Sequence, residues 1–400
     1  MELLQLAQKL DRILVLPNVG KSRVGACFKF EFEMYYDLER LTEELEAPHT
    51  LVKQQVFRRW VEATAPSGRL VFLSATPDPS EDPPTFSNDG VTIRIGAPDS
   101  NTDLLPGCYP RFHALRLDGN APLHVHLKTH THTWPIDASI LDALTRPDIQ
   151  AAASPMASSD PTVLVFTWDL RYPIFQSRSA IPRLHYAPRL QALAALLAPP
   201  APYVMVHWRM ESVSPDSLLD CAHALVDTLA RLPSSLHGSS GIRSLWFASD
   251  YPYAVHRRAL PGQDYGAFSA PGAPVAHVKA KSGTFRDLGP QHGEAVGILG
   301  DAFAEGGELE GWEIAELTEA RVAELNLTSA GHGGWDAELL EDVGAHGIVD
   351  KIIGMRAALF ISGATGCARA SSFTKQIVDE RQAALRRGET GLQNLVEHFG

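Results

Sequence analysis

Apolar residues fall along this chain in two rhythms. Some stretches repeat every three to four residues, while others are short unbroken runs closed by proline, glycine or aspartate. The first pattern predicts amphipathic helices, and the second predicts strands buried on both faces. Leu3, Leu4, Leu6, Ala7 and Leu10 share one helix face directly after Met1, and the run ILVL at 13–16, ended by Pro17, reads as a strand. An aromatic stretch at 28–36 and helical patterns around 38–45 and 52–63 follow. Residues 75–89 (ATPDPSEDPPTFSND) are too rich in Pro, Asp and Ser to pack and predict a long surface loop. Strands at 123–127 and 162–167 flank a helix starting near Asp137, and a helix over 186–197 runs into Pro199 and Pro200. That proline pair sets the predicted boundary between a domain of residues 1–199 and one of residues 200–400.

The second half is more regular. Strands are predicted at 203–207, 244–248 and 359–362, with helices over 214–232 (capped by Ser214), 348–358 and 371–387 and a Gly-rich loop at 363–366. Strands alternating with helices predict an α/β fold with doubly wound parallel sheets covered on both faces.

Composition narrows the function classes. With 400 residues, 44% hydrophobic and 20% charged, the chain is globular and long enough for two cores. A formal charge of -12 argues against a protein that coats nucleic-acid phosphates or a polybasic membrane binder. The expected ligands are small molecules or protein segments. The most apolar window, 190–206, is interrupted by Pro199, Pro200 and Pro202 and falls short of the roughly 20 residues of a spanning helix. No positively charged leader precedes the first helix, so no signal peptide is visible. Cys27, Cys108, Cys221 and Cys367 lie far apart without a CxxC spacing, which signals neither a zinc site nor a dense disulfide framework. The Asn326 sequon is compatible with a secretory route.

In an open parallel sheet, ligands bind beyond the carboxyl ends of the strands, where the strand order reverses. Three groups fall at such ends. His207 and Arg209 follow the strand at 203–207, and an arginine fork suits bidentate grip of a phosphate. Ser249 and Asp250 end the next strand, where a carboxylate holds a sugar hydroxyl or a base, or serves only as turn chemistry. Ser371, Ser372, Phe373 and Thr374 open a helix after the Gly-rich loop, giving an anion site or a plain N-cap. Together they predict a diphosphate clamp.

Two further patterns are read as decoys. Gly20-Lys21-Ser22 mimics the end of a phosphate-binding loop, but Val15 stands where its first glycine belongs. His124, His126, His130 and His132 offer alternate histidines without an accompanying carboxylate or cysteine at ligand spacing, so a sheet face with ordinary histidines is expected. Neither a Gly-x-Ser-x-Gly elbow nor a GxGxxG fingerprint is present.

Taken in order, VMVHWR (204–209), WFASDYPY (246–253) and GIVDKIIGMRAALFISGATGCARASSFTKQIVDER (347–381) resemble three shared peptide regions of the GDP-fucose protein O-fucosyltransferases and the related fucosyltransferase superfamily, in their divergent fungal-type form. RILVLP and YYDLERL (35–41) resemble that family's opening strand and "FDL" helix start. The resemblance implies a GT-B-like architecture: two Rossmann-like doubly wound parallel-sheet domains facing a cleft, the first on the acceptor side and the second holding GDP-fucose. It implies that Arg209 and His207 are catalytic, with Arg209 on the β-phosphate, and that His207, Arg209, Asp250, Asp350, Ser371, Ser372 and Phe373 bind the donor. No metal or other cofactor is implied. The implied reaction is inverting transfer of fucose to a protein Ser/Thr hydroxyl or a glycan, in the lumen of the secretory pathway. The alternative is a catalytically inactive relative that binds GDP or a partner. Charge growing on departing GDP would be met by Arg209 and the helix N-terminus. The family's first strand and Gly-rich, Asn-Gln-containing loop would lie before the helix in which Met1 falls, so the chain is expected to lack that segment. Glu211 keeps an acidic side chain where many members have one, and no catalytic base is assigned.

Overall fold

The computed structural model describes residues 2–21, 23–25, 28–45, 51–64, 70–75, 91–95, 123–127, 140, 163–168, 174–175, 184–235, 242–251, 255, 289–317, 337–369 and 371–400. The predicted loop beyond Ala75, the helix start at Asp137, His130, His132, Cys27, Cys108 and Asn326 lie outside the described residues. The chain divides into two compact units, residues 1–19 with 24–185 and residues 20–23 with 186–400. No helix among the described residues is long and apolar enough to cross a membrane.

In the first unit, α1 (Glu2–Lys9) buries Leu4, Leu6 and Ala7, as its periodicity predicts. Strand β1 (Leu14–Leu16) is followed by the short strands β2 (Asn18–Gly20) and β3 (Arg23–Gly25). Helix α2 (Leu38–Glu44) starts at Asp37, whose side chain accepts from the Arg40 amide. β1 pairs in parallel with β4 (Leu51–Lys53), which leads into α3 (Gln54–Thr64). A four-stranded sheet contains β5 (Leu70–Ala75), β6 (Val91–Ile95), β7 (Leu123–Leu127) and β8 (Val163–Trp168), in the order β6-β7-β5-β8. β5 is parallel to both neighbours, but β6 runs antiparallel to β7. The expectation of an all-parallel sheet is therefore corrected here. An antiparallel edge strand is a common addition to a parallel core, since a strand with only one neighbour can satisfy its ladder in either direction.

The second unit begins at Tyr186, ahead of the proline pair. α4 (Pro188–Leu197) is followed by β9 (Val204–Trp208), α5 (Leu218–Ser235) and β10 (Ser244–Ser249). Then come α6 (Pro290–Ala302), β11 (Glu313–Ala315), α7 (Ala337–Glu341), α8 (Val343–Arg356), β12 (Leu359–Gly363), α9 (Ser372–Arg386) and β13 (Glu397–Phe399). The five strands form one parallel sheet in the order β11-β10-β9-β12-β13. Every residue of β9 is buried, which is why its sequence reads as an unbroken apolar run rather than an alternation. Val204, Val206 and Trp208 enter the core shared with α5 and α6. The alternate residues Met205 and His207 face α8 and α9: a Cβ at Gly354 of α8 would collide with the Met205 Sδ, and His207 meets Thr374 of α9. This period of two carries the functional residues to one face and the packing residues to the other.

Two devices fix the helices to the sheet. Arg381 of α9 is fully buried and donates to the carbonyls of Gly354, Ala357, Ala358, Asn394 and Leu395, binding the end of α8 to the segment before β13. Cys221 of α5 and Cys367, in the loop after β12, form a disulfide. Spacing gave no sign of this bond, because the two residues meet only when β12 pairs beside β9 and α5 packs across the sheet. Ser214 does not cap α5 through its side chain; a 3-10 turn, Pro215–Ser217, comes between.

Candidate ligand site at the reversal of strand order

The chain lays down β9, β10 and β11 outward in one direction and then returns to place β12 and β13 on the other side of β9. The loops after β9 and β12 thus leave the sheet in opposite directions, opening a crevice at their carboxyl ends. His207 stands opposite Ser362 in the β9–β12 register, so both strands deliver their last side chains to that crevice.

His207 is buried and stacks on Phe373, with ring centroids 4.3 Å apart and planes 16° from parallel. Its Nδ1 shares a 3.1 Å hydrogen bond with the Thr374 hydroxyl. Burial first, then the positive charges of Arg209 and Lys351, pushes its pKa down to about 3, so the imidazole is neutral at neutral pH. A neutral ring acts on a ligand as a hydrogen-bond partner rather than as a cation.

Arg209 follows β9 and precedes a 3-10 turn, Met210–Ser212. Its Nε donates to Glu211 Oε1 at 3.1 Å, and its Nη2 contacts the same oxygen. Among the described residues nothing accepts from Nη1, and the side chain keeps 33% of its surface exposed. The turn is held by Asp250, at the end of the neighbouring β10: Oδ1 accepts from the Met210 amide at 2.8 Å and Oδ2 from the Glu211 amide at 3.2 Å. Burial pushes the Asp250 pKa up to about 6, with these two amides pulling it down and Glu211 pushing it up. Asp250 is therefore a brace for the arginine-bearing turn. Ser212 adds a second brace, donating from Oγ to the Arg209 carbonyl and accepting from the Arg369 amide of the β12 loop.

On the other side, Ser371 is the N-cap of α9, its Oγ accepting from the Phe373 amide at 3.1 Å. Ser372 is exposed in the first turn beside Phe373. The remaining amides at this helix start, with the positive end of the helix dipole, suit an anion. The disulfide anchors Cys367 of the preceding loop, and the Cys367 carbonyl accepts from the Trp208 indole at 3.1 Å.

The structure thus brings together His207, Arg209, Asp250, Ser371, Ser372 and Phe373. Asp350 is engaged elsewhere, its Oδ1 accepting from the Trp246 indole at 2.9 Å within the sheet face. Sequence reasoning missed Lys351. Its Nζ donates to Gln376 at 3.0 Å and lies 5.4 Å from the Phe373 ring, and burial pushes its pKa down to about 8. Its position beside the inward face of α8 (Ile348, Val349, Ile352, Ile353) was the signal that could have found it.

The two decoys also have placements. Lys21 has a positive φ of 49°, and its amide donates to Asp342 Oδ1, the residue that caps α8. His124 and His126 occupy alternate positions of β7, opposite Arg94 and Thr92 of β6. Among the described residues, no group of three or more His, Cys, Asp or Glu is arranged to hold a metal ion. No protein-family model matches the chain, and no curated protein matches it.

Proposed function

We propose that this protein is a GDP-fucose-dependent glycosyltransferase that transfers fucose, with inversion, to a protein Ser/Thr hydroxyl or a glycan. The observation that carries the reading is the convergence of Arg209 and His207 with the start of α9 across the reversal in strand order. A fork with an open Nη1 edge on one side and helix-end amides on the other match the two phosphates of a nucleoside diphosphate. As the glycosidic bond breaks, Arg209 and the α9 amides would stabilise the charge on GDP, and neutral His207 would hydrogen-bond the donor. Supporting features of secretory handling are the Cys221–Cys367 disulfide, a bond favoured in oxidising compartments, and the sequence resemblance itself. A two-domain GT-B arrangement belongs to this reading.

A second reading, a non-catalytic GDP-binding relative, draws on the fact that Asp250, Asp350 and Ser371 all have internal partners that a ligand would have to displace. Thermal shift with GDP and GDP-fucose tests both. Ligand at about 100 times its Kd adds roughly 2.7 kcal/mol of stability. A shift together with GDP release in the presence of acceptor supports the enzyme; a shift without release supports the relative. No shift with either ligand refutes both.

A further inference from the structure

One charged atom of the crevice has no partner among the described residues. Glu211 Oε2 is buried without a hydrogen bond, while Oε1 of the same carboxylate is taken by Arg209. Buried polar atoms in native proteins are nearly always satisfied, so a bare carboxylate oxygen at a ligand crevice marks a missing donor. The side chain as a whole keeps 12% of its surface exposed although Oε2 itself is covered, so the carboxylate lies at the edge of the crevice rather than deep in the core. Nor is its place accidental. The Glu211 amide is fastened to Asp250, and its carboxylate holds the guanidinium along the Nε–Nη2 side, leaving Nη1 without an acceptor among the described residues.

The local charge makes the same point. Arg209 has two carboxylates beside it, Glu211 and Asp250, so a bare anion approaching the fork meets repulsion as well as attraction. A ligand that presents a phosphate to Nη1 and a hydroxyl to Oε2 satisfies both groups.

We propose that Glu211 contacts the ligand directly, its Oε2 accepting a hydrogen bond from a hydroxyl of the same molecule whose phosphate oxygens meet the Nη1 edge of Arg209. This rests on the nucleotide-sugar reading and narrows the ligand to phosphate esters with a hydroxyl near the anionic group, on the ribose or on the transferred sugar. Glu211 then acts as a selector: it penalises inorganic anions and rewards hydroxylated ones.

The test is calorimetric titration of wild type, Glu211→Gln and Glu211→Asp with pyrophosphate, GDP and GDP-fucose, with melting curves to establish that each variant is folded. In Glu211→Gln the amide oxygen still serves Arg209, while an NH2 replaces Oε2. Pyrophosphate should bind more tightly and GDP-fucose more weakly, with the ratio of the two affinities changing about tenfold. Glu211→Asp keeps the charge but withdraws the oxygen, so GDP-fucose should weaken with no gain for pyrophosphate. A matching loss for GDP locates the hydroxyl on ribose; a loss confined to GDP-fucose locates it on the sugar. If wild type binds GDP-fucose and neither variant changes the ratio, the role of Glu211 is overturned and the nucleotide-sugar reading stands. If wild type binds pyrophosphate alone, or none of the three, that reading falls and the proposal falls with it.

Discussion

The two banks of the crevice differ in how their charges are answered. At the end of β9, Arg209 pairs with Glu211 Oε1 and Asp250 holds the backbone of the turn between them, while Glu211 Oε2 has no partner among the described residues. On the side of α8 and α9, Lys351 has an amide oxygen as its hydrogen-bond partner, and the helix start adds amides and a positive dipole end. The first bank is a braced turn in which two carboxylates offset one guanidinium, and the second keeps its positive potential. A protein with formal charge -12 can therefore offer one diphosphate a local positive surface without any global basic character.

The disulfide ties the loop ahead of α9 to α5, which follows the β9 turn, so breaking it should have the largest effect. Cys221→Ser with Cys367→Ser should lower stability by about 2–5 kcal/mol in denaturant titration and weaken GDP binding in parallel, since the loop before α9 loses its anchor. Arg209→Ala removes the guanidinium of the first bank and leaves Glu211 buried without it; GDP affinity measured by calorimetry should fall by about 2–4 kcal/mol. Lys351→Met is the corresponding change on the second bank. It should cost about 1 kcal/mol of GDP affinity while leaving stability at neutral pH unchanged or raised, because a buried ammonium is replaced by an apolar chain of similar length.

The last pair of effects is confined to acid pH, and the two have opposite signs. His207 has its pKa lowered from 6.5 to about 3 on folding, so the unfolded chain binds the extra proton between those values and stability falls as pH drops through that window. Asp250 has its pKa raised from 3.8 to about 6, so the folded chain binds the proton there and stability falls as pH rises through that window. Compared with wild type in melts across pH 3–7, His207→Gln should flatten the acid-side loss and Asp250→Asn should steepen it.

The difference between the banks also explains what could be seen in the sequence. The runs that became β9, β10 and β12 were legible because strands buried on both faces must be apolar throughout. Placing His207 and Arg209 beyond one such run and Ser371 beyond another was enough to predict a shared crevice. Edge strands were not legible: β11 (EIA) and β13 (EHF) carry charged residues because one side of each has no strand neighbour. Turn chemistry was one of the two readings open for Asp250, but its partners are backbone amides of the adjacent strand's turn, set by register and so not legible in the sequence. The partner of Asp350 was not legible either: its Oδ1 accepts from the Trp246 indole across the helix–sheet layer. Lys351 was hidden for another reason, since a lysine in an amphipathic helix ordinarily reads as a solvated charge.

The central claim is that the β9–β12 crevice binds a nucleoside diphosphate through Arg209. Calorimetric titration of GDP into wild type and Arg209→Ala tests it most directly. Wild type should show one site, and the variant its loss or a weakening of about 30-fold or more. Equal affinity for GDP in both proteins, or no heat of binding in wild type, would contradict it.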